Sequence, residues 1–143
     1  MITSADIRVC TKDASFCVAE TKVGIVADLG TLQRLGRIVG PAYSREMVFT
    51  AQEVDAQRAL QTGLVNHVYA DKKDMMTQAR KMAAEIANHS PLVVQGSKVV
   101  MNYAEEHSVE DGLNQVSMWN SAFLKSEDLV EGVMATLQKR APH

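Results

Sequence analysis

Apolar and polar positions alternate in the first third of the chain and recur at helical spacing in the rest. "DIRVC" puts Ile7 and Val9 on one face, and "SFCVA" does the same with Phe16 and Val18, so both predict strands, with "KDA" as a turn between them. After Asp28-Leu29-Gly30, Thr31 is the expected N-cap of a helix "LQRLGRIV" that Gly40-Pro41 stops. "AYSREMVF" predicts a second short helix. Asp55 caps a third, "AQRALQT", closed by Gly63 in the C′ position, and "LVNHVYA" predicts a short strand.

From Lys72 onward the pattern is helical throughout. Met75, Ala79, Met82, Ala83 and Ile86 form an apolar stripe on the first of these helices. Ser90 as cap and Pro91 at the first helical position open the next, "LVVQGSKVVMNYAEE". Ser108-Val109-Glu110-Asp111 has the form of a capping box and leads a helix carrying Leu113, Val116 and Phe123, with Trp119 nearby. Ser126, backed by Glu127 and Asp128, starts a last helix with Leu129, Val133 and Leu137. No repeat, low-complexity segment or linker interrupts this order. So few short strands cannot cover so many apolar helix faces. The expectation is therefore a C-terminal part of a larger fold.

Bulk properties narrow the function classes. The chain has 143 residues, 46% of them hydrophobic, which suits one domain with a core, and its formal charge of −2 with scattered basic residues argues against a nucleic-acid surface. No apolar run approaches the ~18 residues of a membrane span, and "MITSADIRVC" has no signal-peptide pattern, so an intracellular protein is expected. Cys10 and Cys17 form no C-x-x-C, and both are expected to be buried free thiols. His67, His89 and His107 stand alone without metal or triad spacing, and no metal site is expected. The sequon Asn88-His89-Ser90 precedes a proline and is discarded.

The candidate chemistry lies in "ETKVGIVADLGTLQRLGRIVG", where Glu20 and Asp28 bracket an otherwise apolar, glycine-bearing stretch. Carboxylates in such a stretch are solvated, paired or used. Fully extended, eight residues would hold them ~26 Å apart at about 3.3 Å per residue. Convergence therefore requires a fold-back, which Gly24 and Gly30 can allow. Two unrelated exposed acids remain the alternative at this level.

Several segments together resemble the crotonase, or enoyl-CoA hydratase/isomerase, superfamily: "SADIRVC", "ASFCVAETKVGI", "GTLQRLGRIVG", "DAQRALQTGLVNHVY", "MAAEIANHSPLVVQGSK" and "KSEDLVEGVMATLQKRAP". The resemblance covers essentially the whole chain. Asp28, where hydratases usually carry a small residue, and "HSVEDGLNQVSMWN" make it most similar to the dienoyl-CoA isomerases. The resemblance implies an α/β fold: residues 1–71 as the end of a β-β-α spiral core, and 72–143 as a C-terminal helical region that assembles trimers or hexamers. It implies a CoA-thioester substrate in fatty-acid β-oxidation and no cofactor. The expected compartment is the bacterial cytoplasm, or the mitochondrion or peroxisome for a longer eukaryotic precursor.

The same resemblance carries Glu20 over as the base and Asp28 as the acid of the isomerase, which needs the two carboxylates in different protonation states. It also makes Lys139 and Arg140 candidates for the CoA phosphates, against the plain reading that they complement a helix C-terminus. Asp6 is expected to hold backbone near a strand end, and Arg8 to lie on a polar face. The family's oxyanion-hole N–H groups and a first carboxylate are expected upstream of Met1, which implies an impaired catalyst if the chain starts there. Two alternatives accompany the isomerase: an enoyl-CoA hydratase, disfavoured by Ala19 in place of the proline common before the base, and a truncated, non-catalytic oligomerisation partner.

Overall fold

A computed structural model describes residues 2–142. Its contacts gather into two compact units, Met1–Ala79 and Arg80–His143. After a 3₁₀ turn at Ile2–Ser4, the first unit contains β1 (Val9–Thr11), β2 (Ser15–Phe16), a 3₁₀ helix (Ala19–Val23), α1 (Thr31–Val39), α2 (Pro41–Thr50), β3 (Val54–Asp55), α3 (Ala56–Gln61) and β4 (His67–Tyr69). The helix α4 (Lys72–Ala87) runs through the division. The second unit adds α5 (Pro91–Ala104), α6 (Val109–Phe123) and α7 (Glu127–Gln138).

The first two strands do not pair with each other. β1 runs parallel to β4, with Cys10 opposite Val68, while β2 is antiparallel to β3, with Phe16 opposite Val54. The expected turn at "KDA" is present, with the Ala14 N–H donating to the Thr11 carbonyl, but it leads from one small sheet to the other. The expected register of the first strand is reversed. Cys10 faces the core, Val9 is half-buried and Ile7 is exposed. The cause is Arg8, expected on a polar face, whose backbone N–H donates to Asn66 Oδ1 (2.8 Å) and whose guanidinium donates to the carbonyls of Leu64 (2.7 Å) and Ala5 (2.6 Å). These bonds shape residues 5–8 as a bend and delay the strand to Val9.

One apolar cluster fills the first unit. Leu35 of α1, Met47 of α2, Ala59 of α3 and the pair Leu64–Val65 before β4 are its most enclosed members, with Cys10, Val18 and Ala27 from the strand-and-loop side. The caps that hold these helices are mostly the expected ones. Asp55 accepts the Arg58 N–H at 2.7 Å, and Gly63, at φ +76°, follows the end of α3. Thr31 is not the cap of α1, however. Gly30 takes that position with φ +75° and no side-chain bond, and Thr31 is already helical.

The second unit is a helical layer with little interior. Gly96, Gly112 and Ala135 are its only fully buried residues among those described. α5 packs on α6 at Gly96, where an added Cβ would overlap the Trp119 indole. Trp119 in turn lies 4.7 Å from the Phe123 ring. Ser90 caps α5 and donates to Asp128 at 2.5 Å, joining the starts of α5 and α7. The capping box of α6 forms in full. The Ser108 hydroxyl donates to Asp111 Oδ2 (2.6 Å), the Ser108 N–H donates to the same oxygen (3.3 Å), and the Asp111 N–H returns to Ser108 Oγ (3.1 Å).

Gly96→Ala is expected to push the indole aside and to destabilise the second unit by roughly 1–3 kcal/mol, as overpacking does. Emission from Trp119, the chain's one tryptophan, should shift to the red and thermal unfolding should begin earlier. A pH effect follows from Asp111. Its carboxyl is held below the usual range by the Ser108 hydroxyl, then by the Ser108 N–H, with a smaller contribution from the charge of His107. A depressed acid stabilises the fold above its unfolded pKa and loses that effect as pH falls through the folded value. In Ser108→Ala the Asp111 titration should move up and the first turn of α6 should loosen at higher pH, as read from the amide shifts of Val109–Asp111.

Candidate active-site segment

Glu20 sits in the 3₁₀ helix and Asp28 just before α1, and the backbone between them is folded as the glycines suggested. The 3₁₀ helix ends at Gly24 in the left-handed conformation (φ +80°), whose N–H turns back on the carbonyls of Glu20 and Thr21. The Ile25 N–H also donates to the Glu20 carbonyl, at 3.2 Å. The second reversal comes at Leu29 (φ +25°) and Gly30 (φ +75°), closed by the Thr31 N–H on the Asp28 carbonyl at 3.2 Å. Two anchors hold the segment to the unit: Ala27, 7% exposed in the core, and Thr21, whose hydroxyl donates to the Val48 carbonyl at 2.7 Å.

Between these anchors the segment presents a mixed surface. Val23, Ile25, Val26 and Leu29 are all exposed, with Glu20 half-buried and Asp28 exposed beside them. Among the described residues neither carboxylate has a hydrogen bond or ion pair, so neither is committed to structure. Such a surface can hold a hydrocarbon against apolar side chains and offer it carboxylates at both ends of the stretch. An open cleft of about 250 Å³ in the same unit is lined by Tyr43, Met47, Val54 and Arg58 among others, and includes neither acid.

Sequence reasoning did not single out Arg34. Its guanidinium donates from Nη2 to the Leu29 carbonyl (2.6 Å) and from Nε to the hydroxyl of the buried Thr3 (3.3 Å). It also covers the face of Gly30, where a Cβ would overlap it. The available signal was spacing, an arginine one helical turn beyond a glycine that opens a helix.

The other candidates have different surroundings. Arg140 belongs to the helical unit and is engaged by its own helix. Its Nη1 and Nη2 donate to the two Glu131 carboxylate oxygens at 2.5 and 2.9 Å, and its Nε donates to Gln138 at 2.7 Å. The Glu131 hydrogen bonds raise its pKa still further, so this cation is permanent and paired. Lys139 is exposed and closes α7 in the left-handed conformation, φ +52°. His107 stacks on Tyr103 with ring centroids 3.7 Å apart, its Nδ1 2.7 Å from the Tyr103 carbonyl. Among the described residues no group of three His, Cys, Asp or Glu side chains is disposed to hold a metal, and no helix is long and apolar enough to cross a membrane.

Of the two thiols, Cys10 is buried as expected and Cys17 is exposed, its Sγ donating to the Ala51 carbonyl at 3.1 Å. The correction has a local reason, since Val18 takes the inward position next to it. Burial, with the charge of Asp13 adding to it, pushes the Cys10 thiol pKa up.

Residues 1–143 match the family described as enoyl-CoA hydratase/isomerase, and the chain belongs to that family. It is 48% identical over 142 residues to the mitochondrial Delta(3,5)-Delta(2,4)-dienoyl-CoA isomerase of Dictyostelium discoideum, covering 99% of this chain and 48% of that protein. It is 44% identical over 141 residues to the human mitochondrial enzyme of the same name (98% and 43%), and 36% identical over 143 residues to the carnitinyl-CoA dehydratase of Salmonella typhi (97% and 54%). The enoyl-CoA hydratase structure from Bacillus anthracis superposes with a TM-score of 0.94 at 27% identity, covering 99% of this chain and 54% of that one. The fold is thus mixed α/β and crotonase-like, mostly helical with small sheets. The chain spans about half the length of the curated relatives it matches.

The two cysteines give a direct check on the packing around this segment. A thiol reagent at mildly alkaline pH is expected to label Cys17 first, and Cys10 only as the unit unfolds, which peptide mass mapping over time would reveal.

Proposed function

We propose that this chain supplies the acid–base pair of a dienoyl-CoA isomerase acting on a fatty acyl-CoA thioester. The observation that carries the reading is the uncommitted pair Glu20 and Asp28 on a doubly reversed backbone, in a chain 48% identical to a protein named for that reaction. The relatives' name fixes the bond changes: double bonds at positions 3 and 5 move to 2 and 4. Glu20 breaks the C2–H bond and takes the proton. The electron pair delocalises through the dienolate, and Asp28 delivers a proton to C6, forming the new C–H bond. The formula of the substrate is unchanged and no second reactant is consumed. Positioned acid–base groups of this kind contribute typically 100- to 10,000-fold each.

The reading extends to the surroundings. The substrate is a CoA thioester, no cofactor takes part, and the exposed apolar helices of the second unit assemble copies of the chain as a trimer or hexamer. The protein works where fatty acyl-CoA is degraded, whether in a bacterial cytoplasm or in the mitochondrion or peroxisome named for the relatives. Oxyanion-hole donors, worth about 100- to 1,000-fold for one, belong on this reading to the part of the relatives that these 143 residues do not span. The 143 residues assayed alone are therefore expected to turn over poorly. A hydratase is the second reading, favoured by the likeness to carnitinyl-CoA dehydratase and to enoyl-CoA hydratase structures.

The test is the conversion of a 3,5-dienoyl-CoA to its conjugated 2,4-isomer, followed by ultraviolet absorbance, in the protein as isolated from its source. Glu20→Gln and Asp28→Asn should each lower the rate by roughly 100- to 10,000-fold with the fold intact. Loss of enoyl-CoA hydration in Glu20→Gln, with Asp28→Asn indifferent and no dienoyl turnover in the parent, would favour the hydratase.

A further inference from the structure

We infer that Arg34 is the positioning residue of Asp28, a role that rests on reading Asp28 as the acid that returns the proton. The Asp28 side chain is exposed and has no hydrogen bond or ion pair among the described residues, so what aims it is the backbone, which fixes its Cα–Cβ bond and thus the small set of rotamers its carboxyl can reach. That backbone is unusual. Leu29 is a non-glycine residue at φ +25°, a value that an unconstrained chain seldom keeps, and it is followed by Gly30 at φ +75°, which glycine adopts freely. The Leu29 side chain is exposed and contributes no packing that would hold the turn.

Arg34 holds it by three contacts. Nη2 donates to the carbonyl of the strained residue, Leu29, at 2.6 Å. Nε donates to Thr3 Oγ1 at 3.3 Å, and Thr3 is 7% exposed, so the guanidinium is tied to a buried point of the first unit. Its Nη1, Cζ and Nη2 atoms fill the space beside the bare Cα of Gly30, a place that any side chain there would take from them. The Arg34 N–H itself closes the first turn of α1 on the Gly30 carbonyl at 3.2 Å. The planar fork suits this arrangement because it donates in two fixed directions at once, to Leu29 and to Thr3, which a lysine ammonium on a flexible stem cannot reproduce. Glu20, in contrast, is set by the 3₁₀ helix and Gly24, and no contact of Arg34 reaches that part of the segment among the described residues.

This difference separates the two half-reactions. In deuterated water, removal of the C2 proton by Glu20 appears as deuterium in recovered substrate, whereas isomerisation requires delivery at C6. Arg34→Gln and Arg34→Lys are expected to lower the isomerisation kcat by roughly 10- to 100-fold, the size of a small misplacement, with KM little changed and C2 exchange continuing near the parent rate. Asp28→Asn added to Arg34→Gln should cost much less than it does in the parent. Thr3→Val, which removes the acceptor of Arg34 Nε and leaves every residue of the turn unchanged, should give the same split in smaller measure and serves if the Arg34 variants do not fold. Exchange and isomerisation falling in step in these variants, or isomerisation at the parent rate, would overturn the role. A parent protein that neither exchanges nor isomerises would instead overturn the functional reading beneath it.

Discussion

Glu20 and Asp28 are joined by a segment that would span about 26 Å if extended, and the fold of that segment governs what they can do. Two left-handed reversals, at Gly24 and at Leu29–Gly30, replace extension with a folded path. The glycines adopt these angles freely, but Leu29 does not, and a strained residue keeps its conformation only when its surroundings over-determine it. Here the constraints are Ala27 in the core, the Thr21 hydroxyl on α2 and the Arg34 guanidinium on the turn itself. The result is a pair of carboxylates without structural duties, carried on an ordered backbone with apolar side chains between them. That combination is costly for a surface and is what the proposed proton transfer would use.

The same economy explains the exposed apolar area. The first unit has a true interior, built on Leu35, Met47, Ala59, Leu64 and Val65. The second is secured by caps and by the close approach of α5 to α6, and it leaves Val109, Leu113, Val130 and Leu137 in the open. Helices whose long side chains stand outward while glycines and an alanine are buried have apolar faces suited to other surfaces. Such a layer suits the assembly role proposed for it, and the stripe Met75, Ala79, Met82, Ala83 and Ile86 on α4, none of it fully buried, continues the theme.

What the sequence made legible was local. Asp55, Ser90, Ser108 and Ser126 cap helices as their spacing indicated, because a cap is decided within four residues. The glycines at 24 and 30 were legible as points of reversal for the same reason, although the cap of α1 fell to Gly30 instead of Thr31. What was not legible depended on partners far along the chain. The parallel pairing of β1 with β4 and the inward turn of Cys10 follow from Arg8 reaching Leu64 and Asn66, more than fifty residues away. The pairing of Arg140, a candidate for the CoA phosphates or for a helix C-terminus, was not legible because its partner Glu131 lies nine residues away. Arg34 was not singled out, since its contact with Thr3 is equally non-local.

The measurement that bears most directly on the central claim is a crystal structure of the protein with a non-reacting dienoyl-CoA analogue. The account predicts a Glu20 carboxylate oxygen about 3–3.5 Å from C2 and an Asp28 oxygen at a similar distance from C6, the separations of a near-attack arrangement, with Arg34 still on the Leu29 carbonyl. An acyl chain bound elsewhere, or lying against Glu20 with Asp28 turned to solvent, would contradict it.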